Sequence, residues 1–320
     1  MPQITSLFDG VHLLHGEVGG RPLQLPLLVG PWRSLLIDTG CASDVSGLIL
    51  PSLAHLGLEP GALSCIITTH CDVDHQGGNG GLKQAAPRAL LCCGDADRAQ
   101  VESPDTIYRL RYDACRLEGI FYEGATRQWM MDQLGVAQPV DLTFRGGERL
   151  RLGPDWDLEV LHLPGHSHGH LGVLDRKHRV LFGGDAIHGA VYLDLGGKPA
   201  LCPTYLHVAA YRQTINFISH LDLEAYCGCH WPVKTGGAIG EFCAESRDFV
   251  ERAESLTLAA LRQPRTLREL CLEVGPRLGQ WPEPIHLELW YAFAGHLQDL
   301  TSRGLVRADA GGPPTRYRLS

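Results

Sequence analysis

Short apolar runs broken by glycine and proline fill the first part of the chain. Between Ile4 and Leu36 the breaks fall at Gly19-Gly20 and Gly30-Pro31, which is typical of strands joined by tight turns. We therefore predict β-hairpins over this segment. Leu48 to Leu58 instead has apolar residues at helical intervals, and this spacing predicts a helix.

Further apolar runs have the length and composition of buried strands. These runs are Ser34–Ile37, Cys65–Thr69, Ala89–Cys93, Trp156–Leu163, Gly172–Leu174 and Arg179–Phe182. The glycine-rich segment Gln76–Gly81 predicts a loop. A helical pattern at Val208–His220 leads into one more strand, which ends before His230.

Residues 95–140 differ in character from the segments on either side. Charged residues, tyrosines, a tryptophan and paired methionines recur there at roughly helical intervals. We predict a helical insertion that could form a lid over a site. Its aromatic and methionine side chains are expected to be core more often than pocket wall.

Composition limits the class of protein. The 320 residues are 44% hydrophobic and 20% charged, as in an ordinary globular protein, and the formal net charge of −8 disfavours a general electrostatic grip on nucleic acid or acidic lipid. No apolar stretch is long enough to span a membrane, and the start of the chain lacks the features of a signal peptide. Eleven cysteines without disulfide-framework spacing favour a cytoplasmic location.

The strongest chemical signal is the hexapeptide His70–His75, which has the pattern H-x-D-x-D-H and follows a predicted strand. Two imidazoles and two carboxylates this close together form a mixed ligand set suited to Zn, Fe or Mn. The alternative is a polar loop that caps a helix and happens to contain two histidines. Other histidines and aspartates also follow predicted strands, namely Asp38, His166, Asp185 and His230.

Taken in order, these motifs resemble the metallo-β-lactamase superfamily over about Ile4 to Trp231. The resemblance implies an α/β fold, the αβ/βα sandwich, in which two sheets face each other, helices lie outside and metals lie at one edge. It also implies two divalent metal ions that share a hydroxide. The implied ligands are His70, Asp72 and His166 for one ion, Asp74, His75 and His230 for the other, and Asp185 as a bridge.

In the same way, the resemblance implies catalytic roles for Asp74 and Asp185, and a hydrogen bond between Asp38 and a ligand or its loop that orients the ligand. Two cations would ionise water for attack on an ester, lactone, thioester, amide or phosphodiester. His188 and Tyr192 are candidates for substrate contact, although a surface position is an equal alternative. His168, His170 and the pair Cys227 and Cys229 are expected to be structural.

Asp72 departs from the superfamily pattern, which usually has histidine there. A third carboxylate makes the site more negative and moves the preference from Zn toward Fe or Mn. The superfamily's di-iron branches, flavodiiron reductases and certain oxygenases, carry glutamate at this position. A redox di-iron enzyme and a site that holds one metal or none and only binds its ligand therefore stay open beside hydrolysis.

The last part of the chain resembles a winged helix, a domain appended to some superfamily members. A helix over Glu241–Leu261 is followed by a capping-box pattern at Thr266 and Glu269, a helix over Ile285–Arg303 and two short strands. We divide the chain into a catalytic domain, 1–260, and a winged-helix-like domain, 261–320. The predicted helix over Ile285–Arg303 lacks a basic face, which favours packing or a homodimer over nucleic-acid binding.

The sequence thus predicts a cytoplasmic, metal-dependent hydrolase that uses a metal-bridging hydroxide on a small carbonyl substrate such as a lactone, ester or thioester. The alternatives are a di-iron oxidoreductase and a phosphodiesterase or ribonuclease of the same superfamily. The expected partner is a small molecule, with no membrane and no nucleic acid.

Overall fold

The first half of the chain forms a seven-stranded sheet whose strands neighbour one another in chain order. The computed structural model describes residues 2–309 and 311–320. The strands are β1 (Gln3–Phe8), β2 (Val11–Val18), β3 (Arg21–Val29), β4 (Ser34–Ile37), β5 (Leu63–Thr68), β6 (Leu90–Gly94) and β7 (Leu142–Phe144). The pairs from β1 to β4 are antiparallel, as the predicted hairpins require, and those from β4 to β7 are parallel.

A second sheet of six strands follows. The strands of this region are β8 (Arg149–Gly153), β9 (Trp156–His162), β10 (Leu171–Asp175), β11 (Val180–Gly184), the short hairpin β12 (Tyr192–Leu193) and β13 (Pro199–Leu201), β14 (Ala225–Gly228) and β15 (Lys234–Thr235). The strand order within the second sheet is β15-β14-β11-β10-β9-β8. The pair β11 and β14 is parallel, so both strands end at the same edge of the sheet.

The two sheets pack face to face. One buried cluster takes Leu28 and Ile37 from the first sheet and Val160, Val173 and Phe182 from the second. Side chains alternate along a strand, so the opposite face of each sheet needs its own cover. Helices supply that cover on both sides, and the predicted αβ/βα sandwich is confirmed.

Ten α-helices are present in the described part of the chain. They are α1 (Leu50–His55), α2 (Val73–Gln76), α3 (Asn79–Ala85), α4 (Arg98–Glu102), α5 (Pro104–Ile107), α6 (Gly124–Gln133), α7 (Val208–Ser219), α8 (Gly237–Ala260), α9 (Leu267–Leu278) and α10 (Trp290–Ser302). Short 3₁₀ helices occupy Pro60–Ala62, Asp95–Asp97, Arg116–Glu118 and Glu283–Leu289, and π-helical turns occupy Val45–Ile49 and Tyr108–Tyr112.

The prediction of a loop over Gln76–Gly81 was wrong in part, because α2 includes Gln76 and α3 starts at Asn79. Glycine serves close packing here rather than a loop. A Cβ atom at Gly77 would overlap the backbone oxygen of Gln133, and one at Gly80 would overlap Val136. The absence of side chains therefore lets the insertion pack directly on the segment that carries the H-x-D-x-D-H motif.

The insertion over residues 95–140 is helical, as predicted, although its helices are short. Its π-helical turn, Tyr108–Tyr112, buries Tyr108, Arg111 and Tyr112. Such turns are rare and place side chains where a regular helix would not.

The C-terminal part has the predicted capping box at Thr266 and Glu269. Helix α10 starts at Trp290, later than the predicted Ile285, because a 3₁₀ helix precedes it. Strands β16 (Arg265–Thr266), β17 (Val306–Ala308) and β18 (Arg316–Leu319) form a small sheet. Helices α9 and α10 share a buried core with α7 and α8, and an independent winged-helix-like domain stays a prediction.

Two observations concern membrane-spanning helices and the state of the cysteines. No helix within residues 2–309 and 311–320 is both long and apolar enough to cross a membrane. All eleven cysteines are free thiols, and ten of them are buried. The cytoplasmic location stays a prediction.

Candidate metal centre

The predicted site residues converge on one rim of the sandwich. Strands β4 and β5 are parallel neighbours, as are β11 and β14, so the segments that follow them leave their sheets at a common edge. The rim residues are Asp38 after β4, the motif from His70 to His75 after β5, His166 after β9, Asp185 after β11 and His230 after β14. Apart from Asp72 and Asp74, they are buried.

One half of the centre is built from His75, Asp185, His230 and Asp74. Nε2 of His230 lies 3.3 Å from Oδ2 of Asp74 and 3.6 Å from Oδ2 of Asp185, and Nε2 of His75 lies 3.7 Å from Oδ1 of Asp185. Two ligand atoms of one tetrahedral zinc ion lie about 3.4 Å apart. Each of these three pairs therefore has the spacing of two ligands on one ion.

The hydrogen bonds of the other ring nitrogens orient the imidazoles. Nδ1 of His75 donates to Asp38 at 2.8 Å, and Nδ1 of His230 donates to the backbone oxygen of Pro22 at 2.7 Å. Asp38 also accepts from the backbone nitrogen of Thr69 at 2.6 Å. Both Nε2 atoms are thereby turned toward the rim, where a metal ion could bind them.

Unpartnered buried atoms test whether a cation fits. Among the residues that the structure describes, Nε2 of His70, Nε2 of His75 and Oδ1 of Asp185 are buried and have no hydrogen-bond partner. Leaving such atoms unpaired is costly unless something else binds them. A metal ion is the ligand that this nitrogen and oxygen set accepts, so the residues fit the implied group.

The electrostatics of this half also favour a cation. Burial alone would lower the pKa of His75, but Cys229 and Asp38 raise it well above its ordinary value. Burial would raise the pKa of Asp74, but the hydrogen bond with His230 and the charge of His75 lower it. The negative surroundings that favour a proton on His75 favour a metal ion in its place.

The other half of the centre brings together His70, His166 and Asp185, whose ligand atoms lie within 4.8 Å of one another. Asp72 stands beside them, with Oδ2 3.5 Å from Nε2 of His70 and 2.9 Å from Nε2 of His166. All seven predicted ligands thus lie in one region, and Asp185 contributes to both halves.

Arg111, which the sequence did not single out, binds Asp72. Its Nε donates to Oδ1 of Asp72, its Nη2 donates to Oδ2 at 2.8 Å, and Tyr112 donates to Oδ1 at 3.2 Å. Burial would raise the pKa of Asp72, but Arg111 and hydrogen bonds from the two histidines hold it well below its ordinary range. The charge of Arg111 cancels that of Asp72, which removes the charge argument for Fe or Mn over Zn. The identity of the metal stays a prediction.

Cys229 joins the first half of the centre, with its sulfur within 4.8 Å of ligand atoms of His75, Asp185 and His230. Burial raises the pKa of its thiol to about 11, against the opposing effect of His75. The expectation that Cys229 is structural did not anticipate this position. A cysteine immediately before the late histidine was the available signal.

The remaining polar residues support the ligands or line the space above them. Tyr192 donates to Oδ2 of Asp185 at 2.9 Å and faces the cavity. His188 lies behind His166, with Nε2 3.3 Å from Nδ1 of that ring and Nδ1 2.8 Å from the hydroxyl of Tyr211. His170 accepts from the backbone nitrogen of Asp185, which agrees with its expected structural role.

A cavity of about 250 Å³ opens above the first half of the centre. Asp72, Asp74, Asp185 and His230 form its floor. The walls come from the insertion (Tyr112, Tyr122, Thr126, Trp129 and Met130), from the C-terminal part (Ile285, Glu288 and Tyr291), and from Val18, Arg21, Val73, Tyr192, Leu201 and Thr204. The expectation that the insertion's aromatic and methionine residues are mostly core missed this second role, and the C-terminal part completes the site.

An αβ/βα sandwich with histidines and carboxylates gathered at one rim is typical of metalloproteins with the metallo-β-lactamase fold. The chain belongs to the metallo-β-lactamase superfamily, whose sequence model matches residues 27–230. The predicted family is therefore confirmed.

Curated relatives of this chain include named hydrolases. Acyl-coenzyme A thioesterase MBLAC2 from Gallus gallus is 27% identical over 198 residues, which cover 55% of this chain and 61% of the relative. The Bos taurus protein of the same name is 35% identical over 200 residues, 59% of this chain and 67% of the relative. Hydroxyacylglutathione hydrolase from Bdellovibrio bacteriovorus is 29% identical over 127 residues, 40% of this chain and 36% of the relative. The chain spans about three fifths of the chicken relative, and these relatives support the predicted hydrolase class.

Solved structures match nearly the whole chain in fold. A metallo-β-lactamase family protein from Thermus thermophilus, TTHA1429, has a TM-score of 0.77 at 24% identity, covering 98% of this chain and 100% of that one. A β-lactamase domain protein from Burkholderia ambifaria also has a TM-score of 0.77, at 17% identity, covering 100% of this chain and 96% of that one. The fold match therefore extends through the C-terminal part.

Proposed function

We propose that this protein is a metal-dependent hydrolase of acyl thioesters. The observation that carries the proposal is a mostly aromatic and aliphatic cavity whose floor includes Asp74, Asp185 and His230, with His75 buried beside Asp185. The floor supplies metal ligands and the walls supply an apolar surface for an acyl chain.

Different residues of the chain would have different roles in the reaction. A divalent ion held by Asp74, His75, Asp185 and His230 would act as a Lewis acid and make water nucleophilic near neutral pH. Asp74 lines the cavity as an ionised carboxylate, placed to accept a proton from attacking water. Burial and the charge of Asp185 raise the pKa of Tyr192 well above its ordinary value. Tyr192 therefore stays protonated, and its hydroxyl donates to the carboxylate of Asp185 and holds it in place.

Thioesters are favoured over lactones and simple esters by the relatives. Two of them are named acyl-coenzyme A thioesterase and another hydroxyacylglutathione hydrolase, and all act on acyl conjugates by name. Trp129, Met130 and Ile285 line one cavity with the acidic floor. An acyl group seated among them would bring its carbonyl toward Asp74 and His230.

The rival functions have less support. The oxidoreductase alternative depended on Asp72 as an additional carboxylate ligand, and Arg111 already binds both of its oxygens. The phosphodiesterase or ribonuclease alternative requires a cationic surface for a polyanion, against a formal net charge of −8. A cytoplasmic location and a small-molecule substrate remain part of the proposal.

A substrate panel tests the proposal. Chelator-treated protein should regain turnover of acyl thioesters when Zn²⁺, Mn²⁺ or Fe²⁺ is returned, and Asp74→Asn should abolish the regained activity. Asp132→Asn, a change at an exposed carboxylate of α6, is the matched control and should behave as the unmodified protein. Metal-loaded protein that hydrolyses a phosphodiester but no thioester, ester or lactone would overturn the proposal.

A further inference from the structure

The guanidinium of Arg111 occupies an unusual position for a metal centre. Arg111 belongs to the π-helical turn Tyr108–Tyr112, and its side chain is only 4% exposed. Besides its two bonds to Asp72, its Nη1 donates to the backbone oxygen of His166 at 3.3 Å, and its Nη2 lies 3.0 Å from Nε2 of that residue. Its guanidinium also lies over the ring of Tyr291, 5.1 Å from the centroid.

This position uses the nitrogen of His166 that a metal would need. Nδ1 of His166 lies 3.1 Å from the backbone oxygen of Thr204 and donates to it, so Nε2 is the nitrogen available to a metal. If the ring is neutral, the lone pair of Nε2 accepts from Arg111. If the ring is doubly protonated, Nε2 donates to Asp72 at 2.9 Å. Nε2 is engaged in both cases, as an acceptor or as a donor.

The positive charge of Arg111 is a second, independent obstacle to a metal ion on His166. A metal on Nε2 of His166 would lie about 2 Å from that atom, on the side where a guanidinium nitrogen is 3.0 Å away. Two cations would then be close neighbours in a buried site, where their repulsion is poorly screened. Asp72, the carboxylate that would offset the ion, is already paired with Arg111.

The half made by Asp74, His75, Asp185 and His230 has no guanidinium bound to its ligand atoms among the described residues. Its two carboxylates balance the charge of one divalent ion, and the Nε2 atom of His75 has no hydrogen-bond partner in the part of the chain that the structure describes. We infer that Arg111 takes the place of one of the two metal ions of the superfamily pattern, so that this chain binds a single ion, in the half made by those four residues. The inference rests on the proposed metal-dependent function and narrows it to a mononuclear site.

Removal of the guanidinium should restore the second half. Nε2 of His70 also lacks a hydrogen-bond partner among the described residues. Without Arg111, His70, Asp72 and His166 would be free to bind an ion together. The substitution Arg111→Met removes the charge and keeps much of the side-chain length. The exposed neighbour Arg109, two residues earlier on the same turn, offers the matched control Arg109→Met.

The experiment counts ions without using activity. Chelator-treated unmodified protein, Arg111→Met and Arg109→Met are titrated with Zn²⁺ by calorimetry, and the metal retained after gel filtration is measured by mass spectrometry. We expect one tightly bound ion in the unmodified protein and in Arg109→Met, and two in Arg111→Met. Two ions of similar affinity in the unmodified protein would overturn the inference, as would one ion in a folded Arg111→Met variant.

A spectroscopic measurement keeps the test independent of the variant. Electron paramagnetic resonance of the unmodified protein saturated with Co²⁺ should give the signal of an isolated high-spin ion. The signal of an exchange-coupled pair would overturn the inference even if Arg111→Met does not fold. A single bound ion without thioester turnover would contradict the proposed function and leave this inference standing.

Discussion

The Oδ2 atom of Asp38 accepts a hydrogen bond from Nδ1 of His75 at 2.8 Å. This contact decides which ring nitrogen faces the rim, because an imidazole that donates through Nδ1 presents a lone pair at Nε2. Asp38 has a positive φ of 61°, a conformation that aspartate tolerates better than most residues. The turn after β4 thereby places the carboxylate against the motif.

Asp38→Asn should weaken metal binding while the fold is retained. The loss of the orienting carboxylate typically costs about 10- to 100-fold in metal affinity. Competition with a chromophoric chelator measures the Zn²⁺ affinity. Asp44→Asn is the control, because Asp44 accepts from the backbone of Cys41 and lies outside the proposed ligand set. Equal affinities for the two variants would show that Asp38 does not orient a ligand.

Asp185→Ala should abolish stable metal binding. Asp185 is the residue whose carboxylate lies near ligand atoms of both halves, and His170 and Tyr192 hold it by hydrogen bonds. Elemental analysis of the purified variant should find no stoichiometric metal, and turnover should fall to the background rate. Circular dichroism establishes that the variant is folded. A folded variant that retains a full equivalent of metal would contradict the assignment.

Trp129→Ala should impair the use of substrates with long acyl chains. Trp129 lines the cavity and is 41% exposed, so its indole can cover an apolar chain at little structural cost. The Michaelis constant for a long-chain thioester should rise about tenfold, while that for an acetyl thioester changes little. Trp32→Ala removes an exposed indole outside the cavity wall and should change neither constant. A uniform effect on short and long substrates would argue against an acyl-binding role.

Glu254→Gln should reduce stability in a pH-dependent manner. Glu254 of α8 accepts from Arg212 of α7 at 2.7 Å and from Arg303, just after α10, at 3.0 Å. Burial would raise the pKa of Glu254, but the two guanidinium groups hold it below its ordinary value of 4.5. A carboxylate whose pKa is lower in the folded state than in the unfolded state stabilises the folded protein at pH values above the unfolded-state pKa. This contribution to stability disappears as the pH falls through the folded-state pKa.

The free energy of unfolding of Glu254→Gln should therefore be lower by about 1 kcal/mol or less near pH 7. The difference from the unmodified protein should shrink below about pH 4. Urea titrations at several pH values measure it. Glu251→Gln, at an exposed position one turn earlier on α8, should show no such dependence. A difference that grows as the pH falls would refute the sign of this argument.

Much of the fold and most of the rim could be predicted from the sequence. Strands such as Val180–Gly184 are short and apolar, they follow a turn, and a polar residue comes directly after them. Parallel strands that end at a common edge bring those polar residues together without any knowledge of long-range contacts. This is why His166, Asp185 and His230 could be assigned from local pattern and resemblance.

Arg111 could not be predicted in the same way. Its side chain reaches the centre because a π-helical turn and the packing of the insertion direct it inward, and neither is visible in the local pattern. Glu288 and Tyr291 were missed for a related reason, since the C-terminal part was treated as a separate unit although it lines the cavity. Glycine at positions 77 and 80 was interpreted as a loop signal, whereas close packing explains it.

The proposed function depends on the binding of a catalytic metal ion by Asp74, His75, Asp185 and His230. Anomalous X-ray diffraction at the zinc edge, from crystals of protein purified with excess Zn²⁺, tests it most directly. We expect a strong anomalous peak about 2 Å from Nε2 of His75 and of His230. The four side chains in their present arrangement with no peak between them, or a zinc ion bound only elsewhere, would contradict it.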